Sequence, residues 1–451
     1  MKQQLEFKQG EIPEGWEEVE LKLIIETIEN GSRPTGGVDF QSGEIPSLGG
    51  ENIIQDGGVK YFPVKKIFRN FFDSLKRGVL KDKDVLINKD GANTGKSGLY
   101  SNIHYSDAAI NEHLFLLRGK KERIIQDYLY YYIVSEMAKR KIELRITGSA
   151  QPGLNSQFVN NFYLNIPKSI KEQEKIALIL QEIDNSIEGT QKVINKYNKI
   201  KNGLVQDLFK FGLNESKLTK KELNSHEYEF PEDWLIKNVG KSSTLKGRIG
   251  WQGLTTQEYL EEGDYFLITG TDFKDGKVAW NTCHFVKKYR YDQDKNIQVK
   301  IKDILITKDG TIGKIAFVNS ISKPTTLNSG VFVLRPQNNS YNPEFMYHIL
   351  MSSRFDRFIE NLKAGSTISH LYQKDFVNFE FTIPKDPEEQ KRIADILTSA
   401  DNKIESEEKY LNKLIKIKRG LIQDLLTGKV RVKVEKWIMN MNMWKNHLLK
   451  V

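Results

Sequence analysis

The sequence IPKSIKEQEKIALILQEIDNSIEGTQKVINKYNKIKNGLVQDLFKFG, residues 166–212, has a second, similar copy in this chain of 451 residues. The second copy, residues 383–429, reads IPKDPEEQKRIADILTSADNKIESEEKYLNKLIKIKRGLIQDLLTGK. The two copies align without a gap, with Ile383 lying 217 residues after Ile166 and every later pair at the same offset. A match of this length indicates an internal duplication.

Each copy is predicted to form one long helix. Apolar residues recur at alternating steps of four and three, which is the pattern of a coiled-coil seam. Polar residues interrupt the seam at the same rungs in both copies, for example Lys201 and Lys418. The predicted seam, which we also expect to take part in docking partner subunits, comprises Ile176, Leu180, Ile183, Ile187, Ile194, Leu204, Leu208, Ile393, Leu397, Ile404, Leu411, Leu414, Leu421 and Leu425.

Both helices carry start and stop signals. A capping box, in which the N-cap side chain and a glutamate three residues later satisfy each other's backbone N–H groups, is predicted at each start. Pro387 would occupy the first helical position of the second copy. Gly212 and Gly428 lie where each helix is expected to end. The predicted boxes are Ser169 with Glu172 and Asp386 with Glu389.

Composition narrows the class of protein. The chain has 68 lysine and arginine residues against 59 aspartate and glutamate residues, a formal charge of +9, which favours an anionic partner. Cys283 is the only cysteine, so no internal disulfide can form. No apolar run approaches the roughly 20 residues that span a bilayer, and the N-terminal residues lack the hydrophobic core of a signal peptide. We expect a cytoplasmic protein that does not enter the membrane.

A globular block precedes each helix. The sequences Ile-Pro-Glu-Gly-Trp, ending at Trp16, and Phe-Pro-Glu-Asp-Trp, ending at Trp234, mark their starts. The predicted organisation is a first domain at residues 1–165, a central long helix at 166–212, a linker at 213–229, a second domain at 230–382, a distal long helix at 383–429 and a C-terminal tail at 430–451. The tail is either a small docking segment or an ordinary frayed terminus.

Each block is predicted to be a mixed α/β domain. Residues 85–87 and 304–306 are predicted strands, each followed by a tight Lys-Asp-Gly turn. The other shared predictions are strands at 114–118 and 331–335, helical stretches at 123–144 and 342–362, and Asp-Gly hairpin turns at 56–57 and 275–276. The predicted fold class is therefore mixed α/β (α+β). Two such domains follow each other in pseudo-twofold tandem and are joined by two long helices that form a coiled coil.

No catalytic or metal site is predicted. The segment from Gly91 to Ser97 resembles a phosphate-binding loop, but it has three residues between its glycines where that loop requires four. Its counterpart from Gly310 to Ile315 has only two. The seven histidines include no pair at helical ligand spacing. A basic hairpin loop accounts for both segments better than a nucleotide site.

Two segments, residues 29–44 and 245–264, fail to align although the strands around them do. A duplicated scaffold that diverges in one loop suggests two modules of one function with different targets. Arginine can recognise guanine, glutamine or asparagine can recognise adenine, and lysine can hold phosphate. The candidate DNA-binding residues in these segments and in the shared turns are Arg33, Lys89, Asn93, Lys96, Ser149, Gln151, Arg248, Trp251, Gln252, Lys308, Lys314, Thr367 and His370. For any one of these side chains, a solvated loop residue is the alternative.

Together these features resemble the specificity (S) subunits of type I restriction-modification systems. The resemblance covers residues 12–434. It is carried by Pro13 and Trp16, Pro231 and Trp234, the Lys-Asp-Gly turns, Gly148-Ser149 and Gly365-Ser366, and the Ile-Pro, Glu-Gln and Gly-Leu-x-Gln-Asp-Leu elements of both helices.

The resemblance implies a mechanism. Each globular domain would be a target-recognition domain that reads one half of a bipartite double-stranded DNA sequence, and the two helices would pair antiparallel as a spacer. Two modification subunits would bind this chain and methylate adenine with S-adenosylmethionine, and restriction subunits would use ATP and Mg²⁺ to translocate and cleave DNA. The chain itself would bind no cofactor and catalyse no reaction, and its host would be a bacterium or an archaeon.

Antiparallel pairing predicts a register. If paired seam positions add to 601, Lys201 faces Ala400 and Lys418 faces Ile183, and the smaller partner gives Lys201 more room for its stem. Two rival functions remain: a nuclease or methyltransferase that carries two such domains, and a coiled-coil scaffold with no role on DNA.

Overall fold

A computed structural model describes residues 12–37, 43–54, 57–148, 152–214, 216–364 and 370–433. The chain divides into two compact units. The first unit comprises residues 1–191 and 409–451, and the second comprises residues 192–408. Each unit therefore holds one globular domain, part of the central helix Ile170–Phe211 and part of the distal helix Pro387–Leu426. The predicted C-terminal tail, residues 430–451, lies outside the described residues from position 434 onward, so the choice between a docking segment and a frayed terminus stays open.

The two long helices run antiparallel within each unit. In the first unit, Lys418 Nζ lies 2.6 Å from Asp184 Oδ1. In the second unit, Lys201 pairs with Asp401. The residue numbers of both pairs add to 602, one more than the predicted seam sum of 601. The antiparallel direction is confirmed, and each seam lysine extends its ammonium to the aspartate next to its predicted partner.

The predicted seam is confirmed by burial. All of its residues are buried or half-buried, and the polar Thr190 on the same stripe is buried as well. The fully or nearly fully buried members are Ile176, Leu180, Ile194, Leu208, Ile393, Leu397, Ile404, Leu414 and Leu425. The half-buried members are Ile183, Ile187, Leu204, Leu411 and Leu421. Near each domain, residues of both helices join that domain's hydrophobic core.

The start and stop signals act largely as predicted. Ser169 Oγ accepts a hydrogen bond from the backbone of Glu172 at 3.4 Å, and Asp386 Oδ1 caps the distal helix, whose first residue is Pro387. Gly212 and Gly428 have φ angles of +67° and +72°, which is the left-handed conformation that glycine adopts past a helix end.

The capping-box prediction is wrong for the glutamates. Glu172 is buried, and its carboxylate accepts hydrogen bonds from Arg431 Nε at 2.8 Å and from Trp16 Nε1 at 3.4 Å. Glu389 is also buried and accepts the backbone N–H of Leu213 at 3.0 Å. Both carboxylates thus bind the chain that follows the opposite long helix, a tertiary role that local sequence patterns do not encode.

The glutamines that follow these glutamates fasten each helix to its domain. Gln173 Nε2 donates to the carbonyl oxygens of Pro167 at 2.8 Å and Arg123 at 3.1 Å, and its Oε1 accepts from the backbone of Ile125 at 3.0 Å. At the equivalent position in the second unit, Gln390 bonds in the same way to Pro384 and Asn342. The Glu-Gln element therefore has a structural explanation in both copies.

The first domain is built on a four-stranded sheet. Its order is Ile25–Asn30, Leu114–Gly119, Val85–Asn88 and Ser97–Leu99, all antiparallel. A three-stranded sheet has the order Lys65–Ile67, Ile45–Leu48 and Ala109–Ile110, and its last pair is parallel. The remaining strands form the pairs Trp16–Glu20 with Tyr163–Pro167 and Ile146–Thr147 with Gly153–Leu154. The helices of this domain are Leu21–Ile24, Arg69–Ser74, Gln126–Ile133 and Glu136–Glu143.

The second domain repeats this topology. Its main sheet has the order Ser243–Gly247, Val331–Pro336, Ile304–Thr307 and Ile315–Phe317, extended by Lys277–Val278 and Phe273–Lys274. The three-stranded sheet is His284–Val286, Tyr265–Ile268 and Thr325–Leu327, and Leu235–Asn238 pairs with Glu380–Ile383. The helices are Val239–Ser242, Lys288–Asp292, Pro343–Leu350, Ser353–Ala364 and Gln373–Phe376. The shared strands and the hairpin turn at Asp275-Gly276 are confirmed, and the α+β duplication with them.

Three predicted segments differ in the structure, namely the linker and the two helical stretches. The linker contains a hairpin of strands Leu218–Leu223 and His226–Pro231, because Asn224 and Ser225 both adopt positive φ and Tyr228 joins the domain core. Each predicted helical stretch is two helices. In the first domain, Ser135 starts the second helix by accepting a hydrogen bond from the backbone of Ala138.

Candidate nucleic-acid interface

In the first domain, four loops meet at one edge of the main sheet. Lys89 donates its backbone N–H to the His113 carbonyl at 2.9 Å, and its own carbonyl accepts from Leu154 at 2.6 Å. The backbone N–H of Gly91 donates to Pro152 at 3.0 Å. These bonds join segments that are distant in the sequence. The loops are residues 31–37, 89–96, 111–113 and 152–154.

A chain of polar and charged side chains runs across this edge. Arg33 Nε lies 2.9 Å from Glu112 Oε1, which also lies 3.4 Å from His113 Nε2. His113 Nδ1 lies 2.6 Å from Asp90 Oδ1, and Lys89 Nζ lies 2.7 Å from Asp90 Oδ2. Burial acts to raise the pKa of Asp90, but the hydrogen bonds from Lys89 and His113 outweigh it and hold the pKa below its ordinary value. Asp90 therefore remains a carboxylate that fixes two basic groups.

The turn after Lys89 presents further polar groups. Residues Gly91–Asn93 form a single 3₁₀ turn, and Gly95 adopts a φ of +87°. Lys96 Nζ donates to Asn93 Oδ1 at 2.6 Å. This compact hairpin has no four-residue cradle of N–H groups between its glycines, so the structure agrees with a basic loop and not with a phosphate loop.

The second domain builds the same edge. The backbone of Lys308 donates to Gly330 at 2.9 Å and accepts from Leu371 at 2.7 Å. His370 Nδ1 contacts the carboxylate of Asp309. The loops that meet here are residues 248–264, 308–314, 328–330 and 370–373.

The lysine of each Lys-Asp-Gly turn lies over a phenylalanine of the main sheet. Lys89 Nζ lies 6.0 Å from the ring centre of Phe115, and Lys308 Nζ lies 5.1 Å from that of Phe332. Phe332 is 217 residues after Phe115, so the contact belongs to the duplicated scaffold. Both lysines are half-buried, which positions their charge while leaving part of each side chain at the surface.

Arg248 does not lie at the surface, and its assignment as a base-contacting residue is corrected. Its side chain is only 2% exposed. Nε donates to the Leu327 carbonyl at 2.9 Å, and the terminal nitrogens donate to Thr326 Oγ1 and Gln293 Oε1, each at 3.1 Å. Burial, together with the nearby charge of Arg290, lowers its pKa from the ordinary value. Arg248 anchors its loop to the domain.

The remaining predicted residues lie in different environments. Lys314 is exposed on the turn of the second domain. Gln252 is buried, and its Oε1 has no hydrogen-bond partner among the described residues. The backbone of Trp251 lies in the 3₁₀ turn Gly250–Gln252. Ser149, Gln151 and Thr367 lie outside the described residues.

Three residues at this edge were missed by the sequence reasoning: Asp90, Glu112 and His113. The sequence contained a signal for Glu112 and His113. Asn111 and Asn328 are shared, but the residues that follow are Glu112-His113 in the first domain and Ser329-Gly330 in the second. A shared strand start followed by unlike polar residues is the same kind of divergence that identified the variable loops.

Other site types lack support in the described residues. Within them, no three His, Cys, Asp or Glu side chains come together as a metal site. None of the helices there combines the length and apolar character of a membrane span.

Two copies of one α/β domain, each with a loop-lined sheet edge and segments of two long helices, define an internally duplicated protein. The family model described as the type I restriction modification DNA specificity domain matches residues 13–202 and 231–416. The chain belongs to this family.

Individual relatives agree with this assignment. The chain is 27% identical over 429 residues to the type I restriction enzyme MjaVIII specificity subunit of Methanocaldococcus jannaschii, covering 94% of each chain. It is 29% identical over 436 residues to the putative MjaX specificity subunit of the same organism, covering 94% of this chain and 96% of that one. Its fold is similar to the crystal structure of a type I restriction-modification S subunit from M. genitalium, with a TM-score of 0.60, 17% identity, and coverage of 93% of this chain and 98% of the other.

Proposed function

We propose that the loop-lined edge of each domain reads one half of a bipartite double-stranded DNA target. This chain would thus determine which DNA sequence a type I restriction-modification complex recognises. The observation that carries the proposal is the repetition of the edge. The same strand order brings the same four loops together twice, with different side chains at the tips. Recognition of two different half-sites requires a repeated strand framework whose loops carry different side chains.

Different residues at these edges would serve different contacts. Lys96 and Lys314 lie on the turns, where they would meet phosphate and fix the position of each domain on the duplex. Base recognition would come from side chains that differ between the domains, above all those of residues 31–37 and 249–264. The candidates Ser149, Gln151, Trp251 and Thr367 remain part of this proposal.

The paired helices would set the distance between the half-sites. The central helix Ile170–Phe211 has 42 residues, or roughly 63 Å at about 1.5 Å per residue. Half-sites on one side of a duplex are centred about 34 Å apart. The helices are therefore long enough to act as a spacer between the half-sites.

Exposed apolar residues on the helices support docking of partner subunits. Val193 and Ile200 on the central helix and their equivalents Tyr410 and Ile417 on the distal helix are between 38% and 50% exposed. Each pair is seven residues apart, so each forms a stripe beside the seam. Two such stripes suit two modification subunits. In this proposal, S-adenosylmethionine, ATP and Mg²⁺ are used by cytoplasmic modification and restriction subunits, and this chain binds none of them.

The test is selection of duplexes from a randomised pool by the full chain assembled with its modification subunits. We expect two short conserved blocks separated by a fixed gap. Binding without sequence preference, or without loss at higher salt, would favour a protein scaffold. The chain alone is then incubated with DNA, Mg²⁺ and S-adenosylmethionine, and methylation or cleavage by the chain itself would overturn its non-catalytic role.

A further inference from the structure

Among the described residues, Arg33 makes an ion pair with the carboxylate of Glu112 at the edge of the first domain. Its Nε lies 2.9 Å from Glu112 Oε1, and 61% of the Arg33 side chain is exposed. His113 Nε2 lies 3.4 Å from the same oxygen. The ion pair with Glu112 therefore restrains the orientation of the exposed Arg33 side chain on its loop.

The contact at Nε has a chemical consequence. A guanidinium has five N–H donors in one plane, and a carboxylate at Nε leaves the edge formed by the two terminal nitrogens facing away from it. That edge matches O6 and N7 of guanine in the major groove. Restraining the arginine before binding also reduces the conformational entropy lost when the contact forms.

Glu112 is placed to support Arg33 and not to contact a base. Its Oε2 is buried and has no hydrogen-bond partner among the described residues. Only about a quarter of the side chain is exposed, 28%, against 61% for Arg33. Oε2 is therefore out of reach of a cytosine amino group, the base contact that a glutamate would otherwise make, and Oε1 is occupied by Arg33.

We infer that the half-site read by the first domain contains a guanine that Arg33 contacts through its two terminal nitrogens, with Glu112 as the positioning residue. This inference rests on the proposed function. The second domain has no equivalent, because Arg248 is buried in its loop and Ser329 occupies the position of Glu112. The inferred Arg33–guanine contact therefore belongs to the half-site read by the first domain.

Duplex selection with the assembled complex tests the inference through four variants. Arg33→Lys keeps the charge but cannot make a bidentate contact, and it should reduce the preference for one guanine by about 5- to 150-fold. Glu112→Ala should weaken the same position, and Glu112→Gln, which keeps an acceptor for Nε, should restore part of it. Arg123→Lys is the matched control, since Arg123 makes a similar exposed pair with Glu17 at 2.8 Å on the strand Trp16–Glu20.

The outcomes separate the inference from the proposed function. If the unaltered complex selects no consensus, the proposed function fails. If it selects a bipartite consensus but Arg33→Lys keeps the guanine preference, or lowers binding equally for all sequences, the inference fails and the function stands. If Arg33→Lys relaxes one position while Glu112→Ala behaves like Arg123→Lys, the positioning role of Glu112 is overturned. When the unaltered complex selects a bipartite consensus, all four variants should leave the second half-site unchanged.

Discussion

Removing Gln173 should destabilise the first unit because its amide has three backbone partners. Gln173 is fully buried, and Gln173→Ala leaves two carbonyl groups and one N–H group without their partner. Each buried polar group left unpaired costs about 1–3 kcal/mol, so the lower value alone predicts a loss of at least about 3 kcal/mol. Gln390→Ala removes two such bonds and should cost at least about 2 kcal/mol in the second unit.

Urea unfolding of the full chain, followed by circular dichroism and tryptophan fluorescence, measures both losses. Gln181→Ala is the control, because Gln181 is exposed on the same helix and alanine is the better helix former. It should leave stability unchanged or raise it by a few tenths of a kcal/mol. A loss of less than about 1 kcal/mol for Gln173→Ala would mean that water replaces the amide, and the account of the Glu-Gln element would be wrong.

Three further predictions concern register, charge and pH. Cysteines at Lys201 and Ala400 should crosslink on oxidation, whereas a crosslink between positions 201 and 418 would contradict antiparallel pairing. Lys314→Ala should reduce the slope of log affinity against log salt for DNA by about 0.9, and an unchanged slope would remove Lys314 from the phosphate contacts. Burial lowers the pKa of His348 to about 4 from 6.5, so the unfolded chain binds its proton first as the pH falls through this window. The free energy of unfolding should then fall by up to about 1.4 kcal/mol per pH unit. As the pH falls, the difference in the free energy of unfolding between the unaltered chain and His348→Gln should change with that slope. Parallel pH profiles of the two proteins would contradict the role of His348.

The repeated and periodic parts of the fold could be predicted from the sequence. Heptad spacing sets which residues of the long helices are buried, and continuous apolar runs such as residues 304–306 become central strands. The offset of 217 residues transferred each assignment from one copy to the other. Local patterns sufficed because the same physical requirement appears twice.

Individual polar roles could not be predicted in the same way. Arg248 and Arg33 both follow a strand at the same edge, but one is buried among carbonyl groups and the other is exposed beside Glu112. Glu172 has capping-box spacing but binds Arg431, which is 259 positions away. Such choices depend on partners distant in the sequence, so spacing alone does not determine them.

The central claim is that each domain reads its own half of a bipartite DNA target. The direct measurement is the methylome of a host that carries this chain with its modification subunit, compared before and after residues 249–264 are replaced by those of a relative. The structure sets this segment, since Arg248 must stay as the loop anchor. We expect a bipartite methylated sequence in which only one half changes and the gap is retained. A change in both halves, or in neither, would contradict the claim.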